Sequence, residues 1–366
     1  MNIKTIKNTT NSLWSIVMIE LTSRCNFSCS FCPSDSIRRK KNLMPKSLWE
    51  KIINELGEKR MAGTIFFHLL GEPLLHKELF EAIQLANNHD LSVSLYTNAA
   101  LLDEEKALGL LEVLKKGRVV LSLQDTSADS FFKRSRGKLS WEEYNKRLEN
   151  FVLLSEKQNV PVQIHYMADV QSYGWNLTGI IREQRKIQSL YEQWQDRLGI
   201  KRNEKNNVFN PAASYPLGNC SSFFVKHARN WDNQLISEET KVIPRDTGHC
   251  ALMTDTFAVL SDGTCTYCCT DYEGALNLGN AYEQTLEEIY FGGKSTRIRE
   301  AEKEGRMIHP RCRECKGMLV YKDTGKPVPS RNIITDYYVF REHLARYGFG
   351  SAIKKVKEAV RRRKWV

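Results

Sequence analysis

Short apolar runs alternate with longer amphipathic stretches along the first half of the chain. Ile16-Val17-Met18-Ile19, closed by Glu20 and Leu21, reads as a buried strand. Pro45 fits a helix start. Leu48, Ile52 and Leu56 then recur at four-residue spacing beside Trp49 and Ile53, which predicts an amphipathic helix. Thr64 to Leu70 is a second strand, Leu91 to Tyr96 a third, Arg118 to Leu123 a fourth and Pro161 to Ala168 a fifth. Helical patterns at Leu79 to His89, Asp103 to Lys116 and Trp141 to Ser155 separate them. Strands and helices in strict alternation imply a parallel α/β sheet. On the fifth strand either Gln163, His165 and Met167 or Val162, Ile164 and Tyr166 face inward, and the pattern fits both.

Residues 173 to 247 are less regular. A polar helix is expected over Leu177 to Leu198, then a loop-rich stretch around Asn206-Asn207, Pro211 and Pro216, with a sixth strand near Ser221 to Val225. Such a segment is placed to cover a barrel mouth and touch substrate, since loops carry function disproportionately. Thr256 to Leu260 and Thr264 to Tyr267 read as strands joined by Ser261-Asp262-Gly263, a hairpin signal. Leu278-Gly279-Asn280 follows, and then a helix from Leu286 to about Glu304.

The 366 residues carry 54 Lys and Arg against 43 Asp and Glu, a net charge of +11. Lys354 to Lys364 holds seven basic residues and one acid, Glu358, and so supplies +6 of that excess. The remainder is only mildly basic, and no nucleic-acid surface is implied. The tail, 326 to 366, continues helically with Ile353, Val356 and Val360 on one stripe. It reads as a solvated helix or as a basic amphipathic helix lying on anionic membrane. Arg38-Arg39-Lys40-Lys41 reads as a solvated loop, with an anionic substrate as the alternative contact. Ser15 to Leu21 is too short for a secretory signal, and no run approaches the ~18 apolar residues of a membrane span. Ten cysteines without an export signal point to a reducing cytoplasm and metal ligation.

The cysteines fall into two sets. Cys25, Cys29 and Cys32 have the spacing C-x3-C-x2-C directly after the first strand. A cubane iron–sulfur cluster needs four ligands, so three local thiolates leave one iron open. The alternative is three structural cysteines or part of a zinc site. Gly71-Glu72-Pro73 ends the second strand in a turn that projects one carboxylate, an acceptor for an ammonium group. The second set is Cys250, Cys265, Cys268, Cys269, Cys312 and Cys315, with Cys312-x2-Cys315 as a metal knuckle. Cys250, Cys312 and Cys315 are clear ligands. The fourth is Cys265, Cys268 or Cys269, and strand geometry turns Cys265 and Cys268 to opposite faces. A structural zinc site is the alternative here too. Cys220 stands alone and reads as structural, and His76 as a helix-start residue.

With these motifs the chain resembles the radical S-adenosylmethionine (SAM) superfamily from about residue 13 to 320. The resemblance implies a partial (β/α)6 TIM-like barrel with a small C-terminal twitch or SPASM-like module. It implies a [4Fe-4S] cluster on Cys25, Cys29 and Cys32 whose open iron takes the amino and carboxylate groups of SAM. Phe31 would then lie near the adenine, and Gly71, Glu72 and Pro73 would bind the SAM amino group. Relatives commonly read GGEP there, and Leu70 stands in place of the first glycine. By the same resemblance Asn98 would contact the ribose, with a simple turn asparagine as the alternative, and Ser122 is a candidate for a further SAM contact. Gln124 occupies the place of a common aspartate, and Asp169 is a proton-acceptor candidate at the end of the fifth strand. Cys268 holds the family position five residues after Gly263, which gives an auxiliary cluster on Cys250, Cys268, Cys312 and Cys315.

The expected organisation is a tail at 1–12, a radical SAM core at 13–235, an auxiliary cluster module at 236–325 and a basic tail at 326–366. The resemblance to twitch dehydrogenases implies reductive cleavage of SAM and two-electron oxidation of a carbohydrate-like alcohol, fed by a flavodoxin or ferredoxin. Peptide maturation by crosslinking or epimerisation is the second reading. The core begins within about 15 residues, which leaves no space for a leader-binding domain and tilts the expectation toward small substrates. A non-enzymatic iron–sulfur redox protein is the third reading, and it leaves Glu72 and Asn98 unexplained.

Overall fold

The computed structural model describes residues 12–125, 127–168, 177–201, 214–227 and 236–328, with the backbone alone for 168, 177–182 and 227. The elements, in chain order, are β1 (Trp14–Ile19), α1 (Lys46–Glu58), β2 (Ala62–Phe67), α2 (Leu79–Asn88), β3 (Ser92–Thr97), α3 (Glu104–Val113), β4 (Gly117–Ser122), α4 (Ala128–Ser135), α5 (Trp141–Gln158), β5 (Val162–Ala168) and α6 (Leu177–Arg197). They continue as β6 (Ser214–Pro216), β7 (Ser221–His227), β8 (Thr240–Ile243), α7 (Leu252–Asp255), β9 (Thr256–Val259), β10 (Cys265–Thr266), α8 (Leu286–Phe291), α9 (Gly293–Lys303), α10 (Pro310–Cys315) and β11 (Met318–Tyr321).

The main sheet has nine strands in the order β10-β9-β1-β2-β3-β4-β5-β7-β6. The run from β1 through β5 to β7 is parallel throughout, which makes β7 the sixth strand expected near Ser221. Helices cover its outer face because each strand buries one side chain in two against them. Val17, Ile19, Ile65, Phe67, Val93, Leu95, Val119 and Leu121 all belong to the core on that side. The inner face is split. Beside β1 and β9 it is apolar, with Ile16, Met18, Leu69, Ala258 and Leu260 packed together. Across β3, β4 and β5 it carries Ser94, Gln163 and His165.

The open question on β5 is thereby settled. Tyr166 packs with Val162 and Ile164 on the helix side, where its hydroxyl donates to Glu183 of α6 at 3.0 Å. Gln163 turns to the other face and donates to Ser214 and Ser222.

Two features depart from the sequence reading. The expected helix over Leu286 to Glu304 breaks at Gly292 into α8 and α9. More important, the hairpin strand β9 does not stand apart from the barrel. It pairs in parallel with β1, from Ile16↔Thr256 to Ile19↔Val259. Trp14 of β1 stacks on Phe257 of β9 with ring centroids 4.7 Å apart, and Tyr290 of α8 closes on it edge-on at 5.0 Å. Such aromatic pairs add about 0.5–1.5 kcal/mol each beyond their buried area.

Side chains from α1 fasten the same joint. The Glu55 carboxylate accepts from the backbone N–H groups of Leu286 and Glu287 at the start of α8, at 2.9 and 3.1 Å. A carboxylate at a helix N-terminus satisfies orphan donors and meets the positive end of the dipole. Lys51 donates to the carbonyls of Ala281 and Gln284 at 2.7 and 3.0 Å. Among the described residues no helix is long and apolar enough to cross a membrane.

Candidate active site and auxiliary metal centre

The first cysteine loop leaves β1 at its C-terminal end and is anchored from below by Phe27. That ring is buried and meets Phe131 of α4 edge-on at 5.8 Å. The Cys32 N–H donates to the Cys29 carbonyl at 2.9 Å, and the Ser28 N–H to the Arg134 carbonyl at 2.9 Å. Burial pushes the Cys25 thiol up to about 11 and the Cys32 thiol up to about 12, and the neighbouring sulfurs add to both. Half-buried thiols clustered in one short loop resist ionisation unless a cation compensates. Iron supplies that compensation, so the donor set fits a [4Fe-4S] cluster with one open iron.

Glu72 sits beside this loop, 1% exposed. The backbone leaving β2 reaches it through two left-sided residues, Leu69 at φ 132° and Gly71 at φ 78°. A Cβ on Gly71 would lie 2.1 Å from the Thr22 carbonyl oxygen, so only glycine lets the turn approach the cysteine loop. The carboxylate accepts from Thr97 Oγ1 at 2.7 Å, Leu74 N–H at 3.1 Å and Asn98 N–H at 2.7 Å. Burial nevertheless lifts it to about 7, against an ordinary 4.5. Pro73 opens the short turn that carries the Leu74 donor.

Asn98 spends its side chain on protein. Its Nδ2 donates to Asn26 Oδ1 at 2.8 Å, and its Oδ1 accepts from Ala100 N–H at 3.0 Å. It thus ties the end of β3 to the cysteine loop, while Tyr144 donates to its carbonyl. Phe31 is half-buried in the loop, and Ser122 ends β4 with its carbonyl facing Arg134. Asp169 lies outside the described residues. His76 and Cys220 are structural. His76 Nε2 meets the Met44 carbonyl at 2.8 Å, and Cys220 Sγ donates to the Val160 carbonyl at 3.3 Å.

Sequence reasoning missed α4 and with it Arg134. This guanidinium is 5% exposed, pairs with Asp125 (4% exposed) at 2.6 Å, lies 4.8 Å over the Phe27 ring and donates to Tyr144. It also offsets the rise of the Cys29 thiol that burial causes. A buried cation against one of three clustered thiols is a strong signal in structure. In sequence only the Ser127 cap and the basic last turn of α4 announced it.

The reading of Arg38 to Lys41 as a solvated loop or substrate contact is corrected at Arg39. Its guanidinium pairs with buried Glu20 at 2.5 Å and donates to the Tyr272 carbonyl and Ser261 Oγ. The backbone N–H groups of Arg38 and Arg39 donate to the Glu273 carboxylate. Arg39 and the Arg38 backbone clamp this loop onto the hairpin module, while the Arg38 and Lys40 side chains are exposed.

The second cysteine set resolves cleanly. Cys250, Cys268, Cys312 and Cys315 line one pocket with Met253, Tyr267, Leu276, Met307 and Arg311. Cys265 faces away, buried in the main core with Sγ against the Gly263 carbonyl. Cys269 packs on the apolar inner face of the barrel. Asp271 shapes the turn that splits Cys268 from Cys269, accepting from Thr266 Oγ1, Ala275 N–H and Leu276 N–H. Burial and the flanking Cys250 and Cys315 push the Cys312 thiol up to about 12. Four cysteines around one pocket fit a second cubane.

Comparison with known proteins agrees with this division. The radical SAM superfamily profile matches residues 19–165, and that of the SPASM iron–sulfur cluster-binding domain matches residues 250–316. A stretch of 106 residues is 31% identical to the S-adenosyl-L-methionine-dependent 2-deoxy-scyllo-inosamine dehydrogenase of Niallia circulans, over 28% of this chain and 42% of that protein. Another of 113 residues is 30% identical to the PqqA peptide cyclase of Gluconobacter oxydans, over 30% of each. The chain therefore spans less than half the length of either relative. The structure of native anSMEcpe with bound AdoMet shares the fold, with a TM-score of 0.52 and 19% identity over 94% of this chain and 99% of that one. The two matched domains imply SAM and two [4Fe-4S] clusters as cofactors. The chain carries a radical SAM domain over residues 19–165 and an SPASM iron–sulfur cluster-binding domain over residues 250–316.

Proposed function

We propose that this protein is a radical SAM oxidoreductase that removes two electrons from a carbohydrate-like alcohol. The observation that carries this reading is the placement of the two thiol sets. The loop of Cys25, Cys29 and Cys32 leaves the C-terminal end of β1. Cys268 lies beyond β10, which runs antiparallel to β9 and returns to where β9 begins, beside Ile16. The sets thus flank opposite ends of one strand pair, separated along β1 by about 10 Å, the three steps from Ile16 to Ile19 at ~3.3 Å each. A substrate in the barrel lumen has a radical source on one side and an electron acceptor on the other.

When bound, SAM and the first cluster would supply the radical chemistry that removes a substrate hydrogen. Within this reading Cys25, Cys29 and Cys32 hold the first cluster and Glu72 takes the SAM amino group. Pro73 and Gly71 shape that turn, Phe31 lies near the adenine, Asn98 and Ser122 border the ribose and methionine sides, and Cys250, Cys268, Cys312 and Cys315 hold the second cluster. Arg134 is suited to an anionic group beside Cys29. Asp169 remains the proposed proton acceptor. A flavodoxin or ferredoxin of a cytoplasmic setting would supply the electron, and the basic tail, outside the described residues, would make at most a weak contact with anionic membrane.

The test is isotopic. With an alcohol deuterated at its carbinol carbon, one deuterium should move to 5′-deoxyadenosine and the product should be two hydrogens lighter than unlabelled substrate. A product of unchanged mass with an inverted centre would replace oxidation by epimerisation. The similarity to a PqqA peptide cyclase supports peptide modification as the second reading, and a lighter product found only on a peptide would select it.

A further inference from the structure

The inner face of the barrel is apolar beside β1 and β9 but cationic and aromatic across β2 to β7. Paired residues of parallel strands share a face, so the registers Ser94↔Arg118, Tyr96↔Val120, Val120↔Gln163 and His165↔Phe224 put one continuous set of side chains toward the lumen. Tyr96 is its centre. The His68 ring lies 4.3 Å from it, and His165 approaches its edge at 5.8 Å. Phe224 then backs His165 at 4.8 Å.

The polar bonds fix how these groups are presented. Gln163 donates through Nε2 to two serine hydroxyls, so its Oε1 accepts from His165 Nε2–H at 2.7 Å. That leaves the His165 lone pair on Nδ1. Arg118 donates from Nε to Ser94 Oγ at 3.2 Å and bonds the Tyr96 hydroxyl. Both partners are neutral, and among the described residues no carboxylate pairs with this guanidinium. Beyond burial, the side chains that bear on His165 are Lys226 of β7, Arg118 of β4 and His68 after β2, and all three push its pKa down. Burial and Lys226 hold His68 down to about 3. Both rings are neutral, and the field around them is positive.

We propose that the lumen takes a hydroxyl-bearing small molecule carrying an anionic group, a phosphate ester or a carboxylate, held by Arg118 over the His68–Tyr96–His165 platform. The inference rests on the oxidoreductase reading and narrows its substrate class. Among the described residues this face presents cations and neutral groups, which penalises a cyclitol amine, whose ammonium would lose its hydration with no described carboxylate to meet it. It favours a sugar acid or sugar phosphate, since a guanidinium matches the two-oxygen edge of either anion. The neutral rings offer flat apolar faces to a sugar-like ring, and Nδ1 of His165 offers an acceptor to one hydroxyl.

Binding separates this inference from the reaction. Reconstituted full-length protein with SAM, titrated anaerobically by calorimetry with myo-inositol 1-phosphate, glucuronate, myo-inositol and a cyclitol amine, should bind one of the two anions and discriminate at least tenfold against the neutral and cationic probes. Whichever anion binds identifies the group. Affinity should fall with added salt, and Arg118→Gln should weaken it about tenfold or more while iron content and SAM affinity stay unchanged. Arg118→Lys, which keeps the charge and loses the fork, should fall in between. Equal binding of myo-inositol and its phosphate, or anion affinity indifferent to both salt and the Arg118 variants, would overturn the proposal. An anion that binds by these criteria and is not oxidised supports the site and removes the oxidation reading. A neutral alcohol oxidised without any anion dependence does the reverse.

Discussion

Glu72→Gln is a sharp probe of the proposed SAM pocket. A carboxylate offers about four lone-pair positions. Leu74 N–H and Thr97 Oγ1 occupy Oε1, and Asn98 N–H occupies one position on Oε2. One position on Oε2 remains for the SAM amino group. Glutamine keeps the shape, removes the charge and turns one of the two oxygens into a donor that faces another donor. Hydrogen bonds to a charged acceptor contribute about 1.5–3 kcal/mol, so SAM affinity at pH 8 should drop about 10- to 100-fold. The pH dependence is an internal control. The carboxyl sits at about 7, so at pH 8 it is charged before SAM arrives. At pH 6 ionising it first costs about 1.4 kcal/mol, which should shrink the penalty of the variant about tenfold. In the SAM-free protein the same shift acts on stability. The folded pKa is raised above 4.5, so the contribution of this group is fully present below 4.5 and is lost as pH rises through about 7. Anaerobic calorimetry at both pH values and thermal melts of wild type against variant measure the two effects. A dissociation constant within twofold of wild type at pH 8, or an equal penalty at pH 6 and pH 8, would refute the assignment.

Iron analysis tests the ligand sets: Cys268→Ala should cut about eight irons per chain to about four, whereas Cys265→Ala and Cys269→Ala should keep all of them, by four-thiolate arithmetic. Changing Cys25, Cys29 and Cys32 together to alanine should also halve the iron and abolish SAM cleavage, and zinc in that variant would point away from a second iron–sulfur cluster. Arg134→Gln leaves Asp125 buried without its cation and should cost about 3–5 kcal/mol in urea unfolding, with Asp125→Asn recovering part of it; a loss below about 1 kcal/mol would demote the pair. Glu55→Ala removes two backbone caps from α8 and should cost about 1–2 kcal/mol, with hydrogen exchange rising first at Leu286 and Glu287.

The parallel strands were legible because a strand buried on both faces is a short apolar run whatever its partners. The faces of β5 were not legible, since Tyr166 among apolar neighbours and His165 among polar ones each suit either side until Glu183 and Gln163 supply partners. The three clustered cysteines and Glu72 could be found from local spacing alone. Choosing among Cys265, Cys268 and Cys269 from the residues required knowing where a two-residue strand ends and how Asp271 bends the chain after it. Arg39 was misread for a related reason. A charge run looks solvated until a carboxylate 19 residues before it and another 234 residues after it come into contact. Arg134 was overlooked because α4 is short and largely polar, and its partner Asp125 lies on the connection before it.

The parallel pairing of β9 with β1 bears on how such a protein can be cut and recombined. Removing everything after residue 235 would not free a barrel. It would bare the hydrogen-bonding edge of β1, expose Trp14 where Phe257 and Tyr290 had covered it, and strand Glu20 without the Ser261 N–H that bonds it at 2.9 Å. An open apolar strand edge recruits other chains. The C-terminal module is thus not a cassette: a chimera that grafts a different one must bring its own matching strand, and a truncated chain should be recovered as aggregate rather than as a smaller enzyme.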